Sequence, residues 1–280
     1  MEVIKKIALM QGLSEKWRKD GHIISCVPTM GFLHQGHIKL LKVGKDKGDR
    51  LIMTIFVNPT QFGPHEDYEK YPRDTEGDLN KASSAGVDVV FMPTVEEMYP
   101  DGFQSTVTVN TITQYLCGKF RPVHFAGVTI VVAKLFNITK PHLAIFGEKD
   151  YQQLIVIKQM ARDLNMDIDI IGVPTVRERD GLAMSSRNKY LSPEERVSAL
   201  SLKKGLDVAK AMVDKGEKDP VAIKNAVKEL ILTHPFTEID YITICDPEKL
   251  TDIKIIDRPS LLALAVNVGR ARLIDNSILA

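Results

Sequence analysis

Five short, β-branched-rich apolar runs, at residues 23–27, 51–57, 87–92, 143–146 and 168–173, alternate with helical patterns at 36–47, 76–84, 128–137 and 151–165. Runs this uniformly apolar suit strands buried on both faces, and the amphipathic stretches between them supply the cover. The pattern therefore predicts an α/β fold built on a parallel sheet. Such sheets hold ligands outside the carboxyl ends of their strands. The character changes between residues 174 and 188. Ser192 then reads as an N-cap, with Pro193 at the first helical position and Glu194 and Glu195 in the first turn. A long helix to about residue 215, a turn at 216–220, a second helix to about 233 and strand-like runs at 240–244, 261–268 and 271–275 complete an α+β tail.

Directly after the first apolar run comes the segment 28–37, PTMGFLHQGH, a strand that stops, turns through a glycine and opens a helix. His34 and His37, three residues apart, share one face of that helix turn. Unsatisfied N–H groups and the positive end of the dipole make such a terminus a natural anion site. The same pair could be a fragment of a metal site, but four-coordinate zinc needs further ligands that the neighbouring sequence lacks. At this position the histidines suit a triphosphate, where imidazolium donors can neutralise charge on a departing pyrophosphate.

Four other segments carry chemistry. In FVNPTQF, Asn58 and Gln61 can each donate and accept, which suits a substrate bearing both hydroxyl and carboxylate; an ordinary Asn-Pro turn is the alternative. The strand-to-helix junction at 146–153 offers Gly147, Lys149 as a phosphate partner, Asp150 as either a helix cap or a ribose ligand, and the amides Gln152 and Gln153. Ser185, Ser186, Arg187 and Asn188 lie in a non-periodic loop that reads as a mobile anion clamp or as a plain polar linker. Arg121 and His124 precede a helical run as either a gate or a turn.

A formal net charge of +1, with no aromatic-interleaved basic stretch, argues against nucleic acid as a partner. Cys26, Cys117 and Cys245 are too far apart for a disulfide scaffold or a C-x-x-C site, which fits a reducing compartment. The first residues lack the apolar core of a signal peptide, and no apolar run reaches the length that spans a bilayer. A cytoplasmic protein with no membrane partner is expected.

Together and in this order, PTMGxLHxGH, VNPxQF, GEKDxQQL and MSSRN resemble the pantothenate synthetase (pantoate–β-alanine ligase) family of the His-x-Gly-His nucleotidyltransferase superfamily, over essentially the whole chain. The resemblance implies a Rossmann-like parallel-sheet domain binding ATP and pantoate over residues 1–176, and a smaller α+β C-terminal lid domain over 177–280. It implies ATP as co-substrate, a Mg²⁺ requirement, a homodimer, and two steps through pantoyl adenylate to pantothenate, AMP and pyrophosphate. On this resemblance Met30, Gly31, Phe32, Leu33, His34, Gln35, Gly36 and His37 line the ATP site, with His37 the proton donor and His34 a phosphate contact. Gly147, Glu148, Lys149 and Asp150 hold ribose and phosphate, Lys149 nearest the α-phosphate, and Val176 meets adenine through its backbone. Met184, Ser185, Ser186 and Arg187 close over the nucleotide, with Lys149, Ser185 and Arg187 counted among the catalytic groups. Gln61 and Gln153 grip pantoate, Asn58 joins them in the substrate set, and Gln61 also meets β-alanine.

Metal ligands are not assigned, although aspartates such as Asp88 are candidates near the site. Two positions depart from the family pattern: Gln35 replaces a common acidic residue and should point away from the phosphates, and Ala126 stands where a polar residue often follows His-Phe. A nucleotidyltransferase acting on a phosphorylated acceptor is the competing enzyme. Gln61 and Gln153 favour the ligase, because a phosphorylated acceptor calls for Arg and Lys.

Overall fold

The computed structural model describes residues 1–64 and 66–280, which divide into two compact units. The first comprises Met1–Asn110, Arg121–Glu148 and Gln153–Pro174; the second comprises Thr111–Phe120, Lys149–Gln152 and Thr175–Ala280.

The first unit runs β1 (Glu2–Ile4), α1 (Ile7–Lys19), β2 (Ile24–Thr29), α2 (Gln35–Lys47), β3 (Arg50–Ile55), α3 (Thr75–Ser84), β4 (Val89–Phe91) and the single turn α4 (Val95–Met98). After α5 (Leu116–Phe120), which belongs to the second unit, it resumes with α6 (His124–Thr139), β5 (Leu143–Gly147), α7 (Tyr151–Asp163, from Gln153 onward) and β6 (Asp169–Val173). The six strands form one sheet in the order β1-β4-β3-β2-β5-β6, and every pairing is parallel. This is the parallel α/β sheet that the alternating pattern predicts, Rossmann-like as the resemblance implies. Both faces of β2 are covered: Val27 joins the cluster that includes Leu41 of α2, while the Cys26 thiol meets Thr139 of α6. That double burial is why the strand runs are apolar throughout rather than alternating. Chain order climbs from β2 to β4 on one side and from β5 to β6 on the other, so the direction of winding switches between β2 and β5. The segment 30–37 leaves the carboxyl end of β2, at that switch, where open α/β sheets hold ligands.

α6 begins at His124, four residues before the expected helix at 128–137. Nearly all of its residues are buried, and its start is set by Pro122, which cannot continue a helix but readily precedes one. Gly127 therefore sits inside the helix, and only Arg121, Pro122 and Val123 remain as connection. The amino-terminal β1 and α1 carry little sequence signal, since β1 has three residues and α1 fully buries only Met10 and Ser14.

In the second unit α8 (Pro193–Asp214) and α9 (Pro220–Leu232) cover an antiparallel sheet of β7 (Thr237–Cys245), β8 (Ser260–Val268) and β9 (Ala271–Leu279), in that order. The start of α8 is a capping box: Glu195 N–H donates to Ser192 Oγ at 3.2 Å and Ser192 N–H to Glu195 Oε2 at 2.9 Å. Asp219 caps α9 through Val221 N–H at 2.8 Å, with Pro220 at its first position. Leu202, Leu206, Ile223, Val227, Leu262 and Leu264 form the centre of this unit's own core. β9 extends four residues beyond the expected run, through Asn276 and Ser277, because pairing with β8 carries polar residues that periodicity alone leaves out.

Candidate active site

The helix mouth at 34–37 is capped by its own histidines. His34, extended at φ −127°, precedes α2; its Nδ1 accepts from Gly36 N–H at 3.1 Å, and His37 Nδ1 accepts from His34 N–H at 3.2 Å. Two of the terminal N–H groups expected to meet an anion are thus already used. The consequence falls on the rings instead. With Nδ1 an acceptor in each, the neutral imidazoles carry their protons on Nε2. The rings lie with centroids 4.1 Å apart, and Gln35 between them in sequence is exposed.

The turn before the mouth is tightly held. Thr29 Oγ1 donates to Thr54 O at 2.6 Å and accepts from Gly31 N–H at 3.2 Å. Phe32 and Leu33 N–H donate to the two carboxylate oxygens of Asp78, each at 2.7 Å. Within the expected nucleotide loop, these two backbone donors are therefore engaged inside the protein. Beside Gly31 a cavity of about 240 Å³ lies over the carboxyl ends of β2, β3 and β4, with Met30, Phe56, Arg73, Asp78 and Met92 in its wall.

Asn58 caps the 3-10 turn Pro59–Gln61 and uses its whole amide inside the protein. Its Oδ1 accepts from Thr60 N–H at 3.3 Å, Thr60 Oγ1 at 3.0 Å and Tyr99 Oη at 2.8 Å, and its Nδ2 donates to Gln61 Oε1 at 3.2 Å and Gly127 O at 3.0 Å. Asn58, expected in the substrate set, therefore spends its amide on internal bonds, one of which holds Gln61. Gln61, 8% exposed, turns its Nε2 toward Met30 Sδ at 3.2 Å, so two segments 31 residues apart meet here. Arg121 and His124, which in sequence suit either a gate or a turn, both brace this segment. His124 Nδ1 lies 2.9 Å from Gln61 O, and Arg121 Nη2 donates to the same carbonyl at 3.3 Å while pairing with Glu66. Burial raises the Glu66 pKa, but the hydrogen bonds and charge of Arg121 outweigh it and hold the carboxyl below its ordinary range.

Gln152 and Gln153, alike in sequence, part company in the fold. Gln152 is buried, donating to Ile112 O at 2.9 Å and Tyr115 O at 2.8 Å and accepting from Cys117 N–H at 2.9 Å, all within the second unit. Gln153 is half-buried in the first turn of α7, compatible with a substrate contact. Gly147 ends β5, Glu148 follows it, and Lys149 and Asp150 fall in the second unit, where Asn276 Nδ2 donates to Lys149 O at 2.9 Å. Lys149 Nζ and Asp150 Oδ2 are 3.9 Å apart.

In the second unit the loop that reads as a clamp is cross-braced. Met184 N–H donates to Val176 O at 2.9 Å, so the residue expected at adenine neighbours one of those expected to close over the nucleotide. Ser185 Oγ accepts from Arg187 N–H at 3.2 Å, opening the 3-10 turn Ser186–Tyr190, and Asn188 Nδ2 donates to Glu178 Oε1 at 2.6 Å and Ala183 O at 3.0 Å. Asp88 is not near the site. It precedes β4 at the amino end of the sheet, where it accepts from Leu51 N–H at 2.8 Å and pairs with Lys45 at 3.1 Å.

A family model described as pantoate-beta-alanine ligase matches residues 2–278 of the chain. The chain belongs to the pantoate–β-alanine ligase family. A curated relative from Desulfatibacillum aliphaticivorans, named pantothenate synthetase, is 54% identical over 279 residues, covering 100% of this chain and 99% of its own. A pantothenate synthetase crystal structure from Thermus thermophilus superposes with a TM-score of 0.94 at 41% identity, covering 99% of each chain. A Francisella tularensis pantoate-beta-alanine ligase, described as complexed with beta-gamma ATP and beta-alanine, superposes with a TM-score of 0.81 at 34% identity, covering 99% of this chain and 97% of its own. The chain is therefore a ligase that joins pantoate to β-alanine to give pantothenate. No helix among the described residues is long and apolar enough to cross a membrane.

Proposed function

We propose that this ligase works in two steps with ATP as co-substrate, and that the helix mouth at 34–37 serves the first. A pantoate carboxylate oxygen attacks the α-phosphorus, and the bond to the bridging oxygen of the β-phosphate breaks, releasing pyrophosphate. The amine of β-alanine then attacks the acyl carbon of pantoyl adenylate; AMP leaves with the bonding pair and the amine loses a proton. The reading is carried by the paired Nδ1 acceptors, which leave His34 and His37 as Nε2–H donors of the kind that stabilises negative charge on a leaving group. His37 is assigned as the donor to the departing pyrophosphate, through a hydrogen bond from Nε2–H rather than by proton transfer, and His34 as a phosphate contact.

Met30 and Gly36 complete the loop's share of the nucleotide, whereas Phe32 and Leu33 contribute shape, their N–H groups being engaged with Asp78. Gly147 and Glu148 are assigned to the ribose, with Lys149 and Asp150, and Lys149, Ser185, Ser186 and Arg187 to the phosphates by their chemistry. Val176 is assigned to adenine through its backbone, and Met184 closes over the nucleotide with Ser185, Ser186 and Arg187. Gln61 and Gln153 take pantoate, and Gln61 also β-alanine. No side chain need act as nucleophile, since the substrate carboxylate does so; the protein supplies alignment and charge stabilisation.

Among the described residues no three His, Cys, Asp or Glu side chains gather to hold a metal ion. Mg²⁺, which the family resemblance implies, would come with the triphosphate, as is usual for nucleotide sites. A cytoplasmic location is supported by three unpaired cysteines, of which Cys26 and Cys245 are buried with thiols pushed up to about 12 by burial. The homodimer rests on family resemblance.

The adenylate step is tested by isotope exchange between ATP and pyrophosphate with β-alanine absent. Exchange that requires pantoate is expected; exchange without pantoate, or none at all, contradicts the two-step reading.

A further inference from the structure

Asp78 has no part in the reading above, and its placement calls for one. It lies in the first turns of α3, and the residue is 1% exposed. A buried carboxylate is costly unless its lone pairs are satisfied. Here Oδ2 accepts from Phe32 N–H and Oδ1 from Leu33 N–H, each at 2.7 Å, at the short end for charge-assisted bonds. Gly31 (φ +82°) and Phe32 (φ +51°) are both left-handed, which turns successive N–H groups into a concavity that binds an anion. The anion is the protein's own. A Cβ at position 31 would lie 2.9 Å from Asp78 Oδ2, so glycine is what lets the carboxylate come this close.

The two clamped peptides immediately precede His34, whose N–H fixes the His37 ring through Nδ1. We propose that Asp78 is a positioning residue for the adenylation step: it holds the 31–33 turn so that His34 N–H keeps His37 presenting Nε2–H to the departing pyrophosphate. The inference rests on the two-step reading, and adds to it a carboxylate 41 positions along the chain from the histidine it serves.

The test is Asp78→Asn, which offers one acceptor and an opposing NH₂ to two N–H donors. Pantoate-dependent ATP–pyrophosphate exchange is expected to fall about 10²-fold, the scale of a small misplacement of a catalytic group. The reaction of preformed pantoyl adenylate with β-alanine should change by less than about threefold. Asp78→Glu, which keeps two acceptor oxygens, should recover about a tenfold part of the lost exchange. In a His37→Ala background Asp78→Asn should cost less than about threefold more, because residues acting through one another are not additive. Exchange within about threefold of the parent, equal losses in both steps, or full additivity with His37→Ala overturns the proposal. If Asp78→Asn does not fold, Asp78→Glu is read in its place, and if neither folds the residue is structural and the proposal fails. Absence of exchange in the parent itself contradicts the two-step reading; the double-variant cycle then decides the role of Asp78 on overall AMP release.

Discussion

Replacing His37 by Ala is expected to lower kcat for pantothenate formation by about 10²–10³-fold, the usual cost of removing one preorganised donor from a developing negative charge. The loss falls on kcat because the leaving oxygen gains most of its charge only in the transition state, where Nε2–H matters most. The same substitution removes one half of the capping arrangement, the bond from His34 N–H at 3.2 Å. That costs about 1 kcal/mol of helix stability, too little to unfold a protein of this size. Steady-state kinetics beside a thermal melt separate the two effects. An unchanged kcat would show that the leaving-group donor is misassigned, and a collapsed fold would show that the capping role dominates.

Gly127→Ala is expected to act through packing alone on the segment proposed to hold pantoate. A Cβ there would overlap Thr60 O and stand 2.5 Å from Gln61 N, backbone atoms that no rotamer change can clear. Neither partner can easily retreat, since Gly127 O accepts from Asn58 Nδ2 at 3.0 Å and His124 of the same helix lies 2.9 Å from Gln61 O. The expected cost is about 3 kcal/mol, at the upper end for overpacking, or roughly 6–12 °C in Tm. Because the displaced segment carries Gln61, KM for pantoate should rise about tenfold, on the scale of one lost hydrogen bond, while KM for ATP moves little. A variant that melts with the parent and keeps its pantoate KM would show that α6 does not fix the 58–61 turn.

What the sequence made legible was local. Strand runs at 51–57 and 143–146, the Ser192–Pro193–Glu195 helix start and the His34/His37 mouth all announce themselves within a few residues, and each stands where expected. What stayed hidden depends on distant partners. Asp78 reads as an ordinary acidic residue early in a helix, and its role exists only through N–H groups 45 and 46 residues earlier. Gly127 resembles a loop glycine until its approach to the 59–61 turn is seen. The Arg121–Glu66 pair spans 55 residues, and Gln152 differs from Gln153 only in which side of α7 meets Ile112 and Tyr115. Asp88 shows the converse: a carboxylate beside a strand is informative only once the strand's direction says which end it occupies.

The most direct measurement is AMP release from ATP with each of pantoate, β-alanine and ATP omitted in turn. The account predicts sustained AMP and pantothenate, in equal amounts, only when all three are present. Release of ADP in place of AMP, or turnover that continues without pantoate, would contradict it.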